Sequence, residues 1–194
     1  MKPLYKTDKF ELVHFHRCMN NLDIFNSNYF EWFDDQEISA KNSHGLFPLN
    51  HDEYLDIIDD GKTGKILNWA IIVDENIHIG NISLQRIDWV NRSSEFAVVI
   101  GEKDYWGKGI CTEAAKLLFS HAFAKLNLHR IWSGTAHTNL GMKKVFKKLG
   151  MTYEGSFRQA MYLQGRYVDV EEYGILRHEW DEKLAKDAGY KKDN

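Results

Sequence analysis

Residues Val98 to Ala114 read VVIGEKDYWGKGICTEA. A β-branched run enters a loop with Gly101, Gly107 and Gly109, and the loop opens a helix. The helical stretch is Thr112 to Leu126, whose apolar residues Ala115, Leu118, Phe119, Ala122 and Leu126 fall on one face. Thr112 is the expected N-cap. Glycine permits close backbone approach to a ligand. A helix N-terminus adds free N–H groups and a positive dipole end. Together they make a site suited to phosphate or pyrophosphate, with Lys108 contributing charge from the side.

Two familiar phosphate loops fit poorly. In a Walker loop four residues separate Gly from Gly-Lys-Ser/Thr. Here five separate Gly101 from Gly107-Lys108, and Gly109 replaces the hydroxyl residue. A dinucleotide fingerprint ends in Gly where this chain has Thr112, and it normally opens a fold.

Outward from the loop, the pattern is a mixed α/β sheet: an antiparallel meander followed by a strand–loop–helix–strand crossover. The expected meander strands are Phe10 to Phe15, Asn68 to Val73, Ile77 to Leu84 and Glu95 to Ile100. Leu22 to Glu37 is expected to be partly helical, and Asp52 to Gly61 a short amphipathic helix with a Gly stop. After the crossover helix come a strand at Arg130 to Gly134 and a helix at Asn139 to Leu149 that Gly150 stops. Its apolar face carries Met142, Val145, Phe146 and Leu149. Lys143, Lys144, Lys147 and Lys148 lie opposite. Strands at Thr152 to Tyr162, with Gly155 marking a bulge, and at Val168 to Leu176 close the fold.

The chain has 194 residues, 43% hydrophobic and 27% charged, which suits one globular domain over 1–180. A polar tail, 181–194, is expected to fray. A net charge of −3 does not favour nucleic-acid binding. No signal-peptide or membrane-spanning run is evident, so a cytoplasmic protein with no membrane partner is expected, either monomer or homodimer. Cys18 and Cys111 read as reduced thiols. His14 and His16 share a strand face but lack a third ligand, so no metal is expected.

Tyr105-Trp106-Gly107-Lys108-Gly109-Ile110-Cys111-Thr112-Glu113-Ala114 resembles the pyrophosphate loop of the GNAT superfamily of N-acetyltransferases. The family signature is Gln/Arg-x-x-Gly-x-Gly/Ala; Trp106 and Cys111 depart from it. The Y-W-G-K-G and T-E-A pieces are similar to the branch of ribosomal-protein N-terminal acetyltransferases. Asn139 to Met151 (NLGMKKVFKKLGM) resembles the family's Asn-bearing helix.

The resemblance implies a GNAT-like sheet, acetyl-CoA as cofactor, and direct attack of a primary amine on the thioester. The strands at 95–100 and 130–135 would splay to admit the pantetheine arm. Backbone N–H groups from Gly107 to Thr112, with Trp106 and Lys108, would hold the pyrophosphate. The N–H of Val99 or Ile100 would polarise the thioester carbonyl. Asn139 would contact the pantetheine, and Lys144 the adenosine phosphate. Glu95 would be the general base. Family members carry a proton donor where this chain has Met142 or Phe146, and neither can donate. Tyr153, Tyr162, Tyr167 and Tyr173 are candidate replacements, with Tyr153 assigned; otherwise the thiolate leaves unaided. Trp32, Asp35, Tyr162 and Arg166 are assigned to the acceptor wall, with Asp34, Asp35 and Glu37 available to attract a cationic amine.

The acceptor is expected to be a small-molecule amine: an amino sugar, amino acid or polyamine. A protein N-terminal acceptor and a non-catalytic acyl-CoA sensor are the alternatives.

Overall fold

The computed structural model describes residues 4–21, 26–29, 31–39 and 65–187. The helix expected at 52–61 lies outside them.

The strands are β1 (Tyr5–Lys6), β2 (Glu11–His14), β3 (Asn26–Ser27), β4 (Leu67–Val73), β5 (Ile77–Asp88), β6 (Ser93–Ile100), β7 (Arg130–Ala136), β8 (Thr152–Leu163) and β9 (Arg166–Leu176). The helices are α1 (Phe15–Met19), α2 (Glu31–Asp34), α3 (Gln36–Ser39), α4 (Ile110–Ala124), α5 (Leu140–Leu149) and α6 (Arg177–Asp187). Among the described residues the strands form one mixed sheet in the order β1-β2-β4-β5-β6-β7-β9-β8, with β3 added beside β5. The expected meander and crossover are both present. β6 and β7 are parallel, and α4 forms their crossover.

Side-chain alternation along the strands divides the core between the two faces of the sheet. Phe96, Val98 and Ile100 of β6 belong to the larger core with Phe119 of α4, Phe146 and Leu149 of α5, and Trp180 of α6. Val99 faces the other way, into a smaller core with Phe15 and Cys18 of α1, Trp32 of α2 and Ile38 of α3. Buried His78 anchors this second layer. Its Nδ1 accepts the Ser27 hydroxyl at 2.8 Å, and its Nε2 donates to Asn81 Oδ1 at 2.8 Å. Burial lowers its pKa to about 4, so the neutral ring is the structural form.

Most boundaries shift by a few residues from the sequence reading, and two of the shifts change a residue's element or role. Phe15 begins α1 rather than ending β2. Helix α4 begins at Ile110, not Thr112: Gly109, at φ 83°, is its N-cap, so Thr112 lies inside the first turn. The bulge at Gly155 is present as a register shift against β9 between Tyr153 and Gly155. Helix α6 crosses position 180, carrying Trp180 into the core before the polar residues begin.

Trp180 is 1% exposed and packs edge-on against Phe119 at 5.5 Å, yet its indole N–H has no partner. Trp180→Ala should therefore destabilise the fold by about 3–5 kcal/mol in denaturant unfolding. Trp180→Phe, which removes the orphaned donor and keeps an aromatic ring, should be much milder.

Candidate functional site

β6 and β7 pair only at Ser93–Glu95 against Arg130–Trp132, then diverge. The backbone on the β6 side of the gap has a defined polarity. The Gly101 N–H bonds Ile79 O at 2.9 Å. Alternation in the antiparallel β5–β6 ladder then turns the N–H of Val99 toward β5 and those of Val98 and Ile100 into the gap. Of the two expected thioester contacts, Ile100 is thus the one whose N–H faces the opening. The Ile100 carbonyl is taken by the Trp106 indole N–H at 2.7 Å.

A cleft of about 510 Å³ continues from this gap. Val98, Val99 and Ile100 line one wall, Trp106 and Gly107 to Thr112 except Lys108 the loop end, and Asn139, Met142 and Lys144 the α5 side. These are most of the cofactor residues expected from sequence. Gly107 (φ 75°) and Gly109 (φ 83°) occupy the left-handed region, and nothing lies within 4 Å of a Cβ built at either. The need for glycine is therefore conformational rather than steric. The first bond of α4 runs from Glu113 N–H to Gly109 O, leaving the N–H groups of Ile110, Cys111 and Thr112 without helical acceptors at the cleft. This is an anion cradle. Lys108 is outside the lining; its ammonium lies 4.8 Å from the Tyr105 ring centroid. Cys111 is pushed up to about 12 by burial, so it is a neutral thiol.

Asn139 caps α5, accepting the Met142 N–H at 3.1 Å, and also lines the cleft. Phe146 is fully buried against the Tyr173 ring at 4.8 Å. Tyr153 is not brought to the cleft. It pairs with Tyr173 across β8–β9, on the sheet face opposite Glu95. The Tyr173 hydroxyl donates to Glu171 Oε2 at 2.8 Å, and burial followed by that bond raises its pKa to about 12.

The expected acceptor wall is rearranged. Trp32 is buried beneath Gly101, where a Cβ would stand 1.8 Å from the indole, and its N–H donates to Glu102 at 2.9 Å. Lys103 bridges Asp35 (2.7 Å) and Glu37 (3.0 Å), so its single charge offsets one of the three carboxylates expected there to attract a cationic amine. Tyr162 and Arg166 sit exposed beside the β8–β9 turn, with Tyr162 packed on Tyr167. Neither lines the cleft.

A second cleft, about 590 Å³, opens on the Glu95 face; Arg86, Arg130, Trp132, Glu154 and Glu172 line it. The sequence reading assigned none of them. Arg130 grips Glu154 through both terminal guanidinium nitrogens, Nη1 and Nη2. Arg86 approaches Glu95 at 3.4 Å. Burial raises the Glu95 pKa and Arg86 partly opposes this. Glu172 is also raised, by burial first and then by the Glu95 and Glu154 charges, with Arg130 and Arg86 partly opposing.

These shifts set a pH dependence. A carboxyl whose folded pKa exceeds its ordinary 4.5 favours folding below that value. That contribution is lost as pH rises through the elevated pKa. Replacing both Glu95 and Glu172 by Gln should raise Tm at neutral pH and leave it unchanged in acid, where the carboxyls are protonated. A double variant less stable than wild type at neutral pH would contradict this reading.

Residues 23–152 match the family model described as an acetyltransferase (GNAT) domain. A putative ribosomal N-acetyltransferase, YdaF, of Bacillus subtilis (strain 168) is 36% identical over 102 residues, 53% of this chain and 55% of that protein. Spermidine N(1)-acetyltransferase of Escherichia coli (strain K12) is 31% identical over 101 residues, 52% of this chain and 54% of that one. The chain thus spans about half the length of these curated relatives. A crystal structure of a probable acetyltransferase superposes with TM-score 0.73 at 26% identity, covering 93% of this chain and 99% of that one. Spermidine N-acetyltransferase from Vibrio cholerae, in complex with CoA and spermine, shares the fold, with TM-score 0.73 at 20% identity over 90% and 99% of the two chains. With the family model matching most of the chain, over the loop, the crossover and the Asn-bearing helix, the protein belongs to the GNAT acetyltransferase family.

Proposed function

We propose that this protein transfers the acetyl group of acetyl-CoA to a primary amine of a small molecule. The observation that carries this is the β6–β7 gap running into a cleft whose far end is the N–H cradle of Gly107 to Thr112. An extended thiol-bearing arm fits the gap, and its pyrophosphate fits the cradle. Lys144 and Lys148, both on the lining, suit the adenosine phosphate. Asn139 adds a polar contact to the arm. The N–H groups of Val98 and Ile100 face the thioester carbonyl and stabilise the oxyanion as it forms.

The amine nitrogen attacks the carbonyl carbon and the C–S bond then breaks. The proton leaving the nitrogen goes to Glu95, directly or through water. Its raised pKa makes it a stronger base than an exposed carboxylate. Met142 and Val145 on the α5 wall offer the sulfur no proton. With Tyr153 away from the cleft lining, departure as a thiolate is the favoured course, since an ordinary thiol titrates near about 8.5.

The spermidine acetyltransferase relatives favour a polyamine among the small amines considered. The ribosomal relative supports a second reading, a protein N-terminal acceptor, and parallel assays with polyamines and N-terminal peptides separate the two. A non-catalytic acyl-CoA sensor would bind CoA and release no thiol with any amine.

Thermal unfolding tests the cofactor. CoA or acetyl-CoA at one hundred times its dissociation constant should stabilise by about 2.7 kcal/mol. That corresponds to a rise in Tm of about 5–10 °C for a chain of this size. ATP and NAD should give none; a shift with these and not with CoA would remove the acetyltransferase reading. For the base, Glu95→Gln should lower kcat about 10²- to 10⁴-fold at neutral pH and leave the acetyl-CoA KM unchanged. An unaltered kcat would strip Glu95 of that role.

A further inference from the structure

We infer that Glu172 is a specificity-determining residue that holds a second positive charge on the acceptor, so that diamines are preferred over monoamines. This rests on the acetyltransferase reading of the β6–β7 gap.

Placement is the first argument. Glu172 pairs with Gly134 across β9–β7, and a Cβ built at Gly134 would stand 2.6 Å from Glu172 Oε1. The carboxylate therefore lies across β7, in space that only glycine leaves open. Gly134 is the second residue past Trp132, and Trp132 is the last β7 residue paired with β6, opposite Glu95. Glu95, Trp132, Gly134 and Glu172 share one face through these registers. The Glu172 carboxylate thus overhangs the start of the gap, on the same face as the proposed base.

Partnership is the second argument. Each neighbouring carboxylate has a cation: Arg130 holds Glu154, and Arg86 lies beside Glu95. Glu172 has no direct hydrogen bond or ion pair among the described residues, and the Arg130 and Arg86 charges act on it only from a distance, more weakly than its burial. The cleft it lines has Trp132 for a wall; the Arg86 guanidinium lies 6.0 Å from the ring centroid, and the rest of the indole offers apolar surface to a short alkyl chain. An acceptor with two amines joined by such a chain would present one nitrogen to the thioester, near Glu95, and leave the other charged. That second ammonium meets the one carboxylate of the cleft whose arginine neighbours are already engaged with other carboxylates. A monoamine leaves Glu172 without a direct partner and forgoes a charge-assisted hydrogen bond.

Equilibrium binding tests this without turnover. Putrescine and butylamine, which differ by one ammonium group, are titrated calorimetrically into the protein–CoA complex at neutral pH. Wild type should bind putrescine about 10- to 100-fold more tightly. Glu172→Gln should bring that ratio near one without lowering Tm or CoA affinity, whereas loss of a merely structural contact would lower Tm. Glu172→Asp, which keeps the charge on a shorter arm, should restore part of the preference. No preference in wild type, no measurable binding of either amine, or a preference that survives Glu172→Gln would each overturn the inference. A Glu172-dependent preference together with no CoA release from acetyl-CoA would support the inference and sink the acetyltransferase reading alone.

Discussion

The backbone hydrogen bonding between β6 and β7 stops after Glu95 and Trp132, and the rest of the site depends on that stop. A parallel pair inside a sheet ordinarily continues its ladder, because unpaired buried peptide groups are unfavourable. Here the strands separate with their far ends unpaired, β6 running to Ile100 and β7 to Ala136. The outer partners hold each strand in place: β5 pairs β6 up to Ile100, and β9 pairs β7 along its whole length. The gap is thus a fixed feature with donors already aimed into it. A ligand arm with amide groups can complete what the two strands leave unmade.

The loop and the two faces of the sheet complete the division of labour. Left-handed Gly107 and Gly109 turn the chain so that α4 begins at the end of the gap, with its free N–H groups at the cleft. The face covered by α4, α5 and α6 is apolar, built on Phe119, Phe146 and Trp180. The opposite face carries the charge, and there the glycines at 134 and 174 make room. A Cβ at Gly174 would stand 2.4 Å from Glu154 Oε1 and 2.7 Å from Arg130 Nη1. Small residues on β7 and β9 thereby let carboxylates lie flat across the strands beside the gap.

Local signals made the cofactor half of this site legible in the sequence. Glycine spacing, helical periodicity after 112 and Asn139 before an apolar run each act within a few residues, and they located the loop, both flanking helices and the crossover. The charged face was illegible because its logic is not local. Lys103 engages both Asp35 and Glu37 from far along the chain, which no count of acidic residues near 35 reveals. Glu172 gains its position only from the β7–β9 register and the missing side chain at 134. Alternation along β9 separates it from Glu171 but does not say which of the two faces borders the gap; Glu171 pairs with Lys143 on the other face. Tyr153 fails for a related reason. A strand places a residue on one of two faces, and the bulge at 154–155 changes the β8 register just where the sequence reading put a proton donor.

Amide hydrogen exchange with and without CoA tests the account most directly, because its central claim concerns backbone N–H groups. CoA should slow exchange at Val98 and Ile100 and at Gly107 to Thr112, leaving Val99, already turned toward β5, little changed. Protection confined to other segments, or none in the loop with CoA bound, would contradict the placement of the cofactor in the β6–β7 gap.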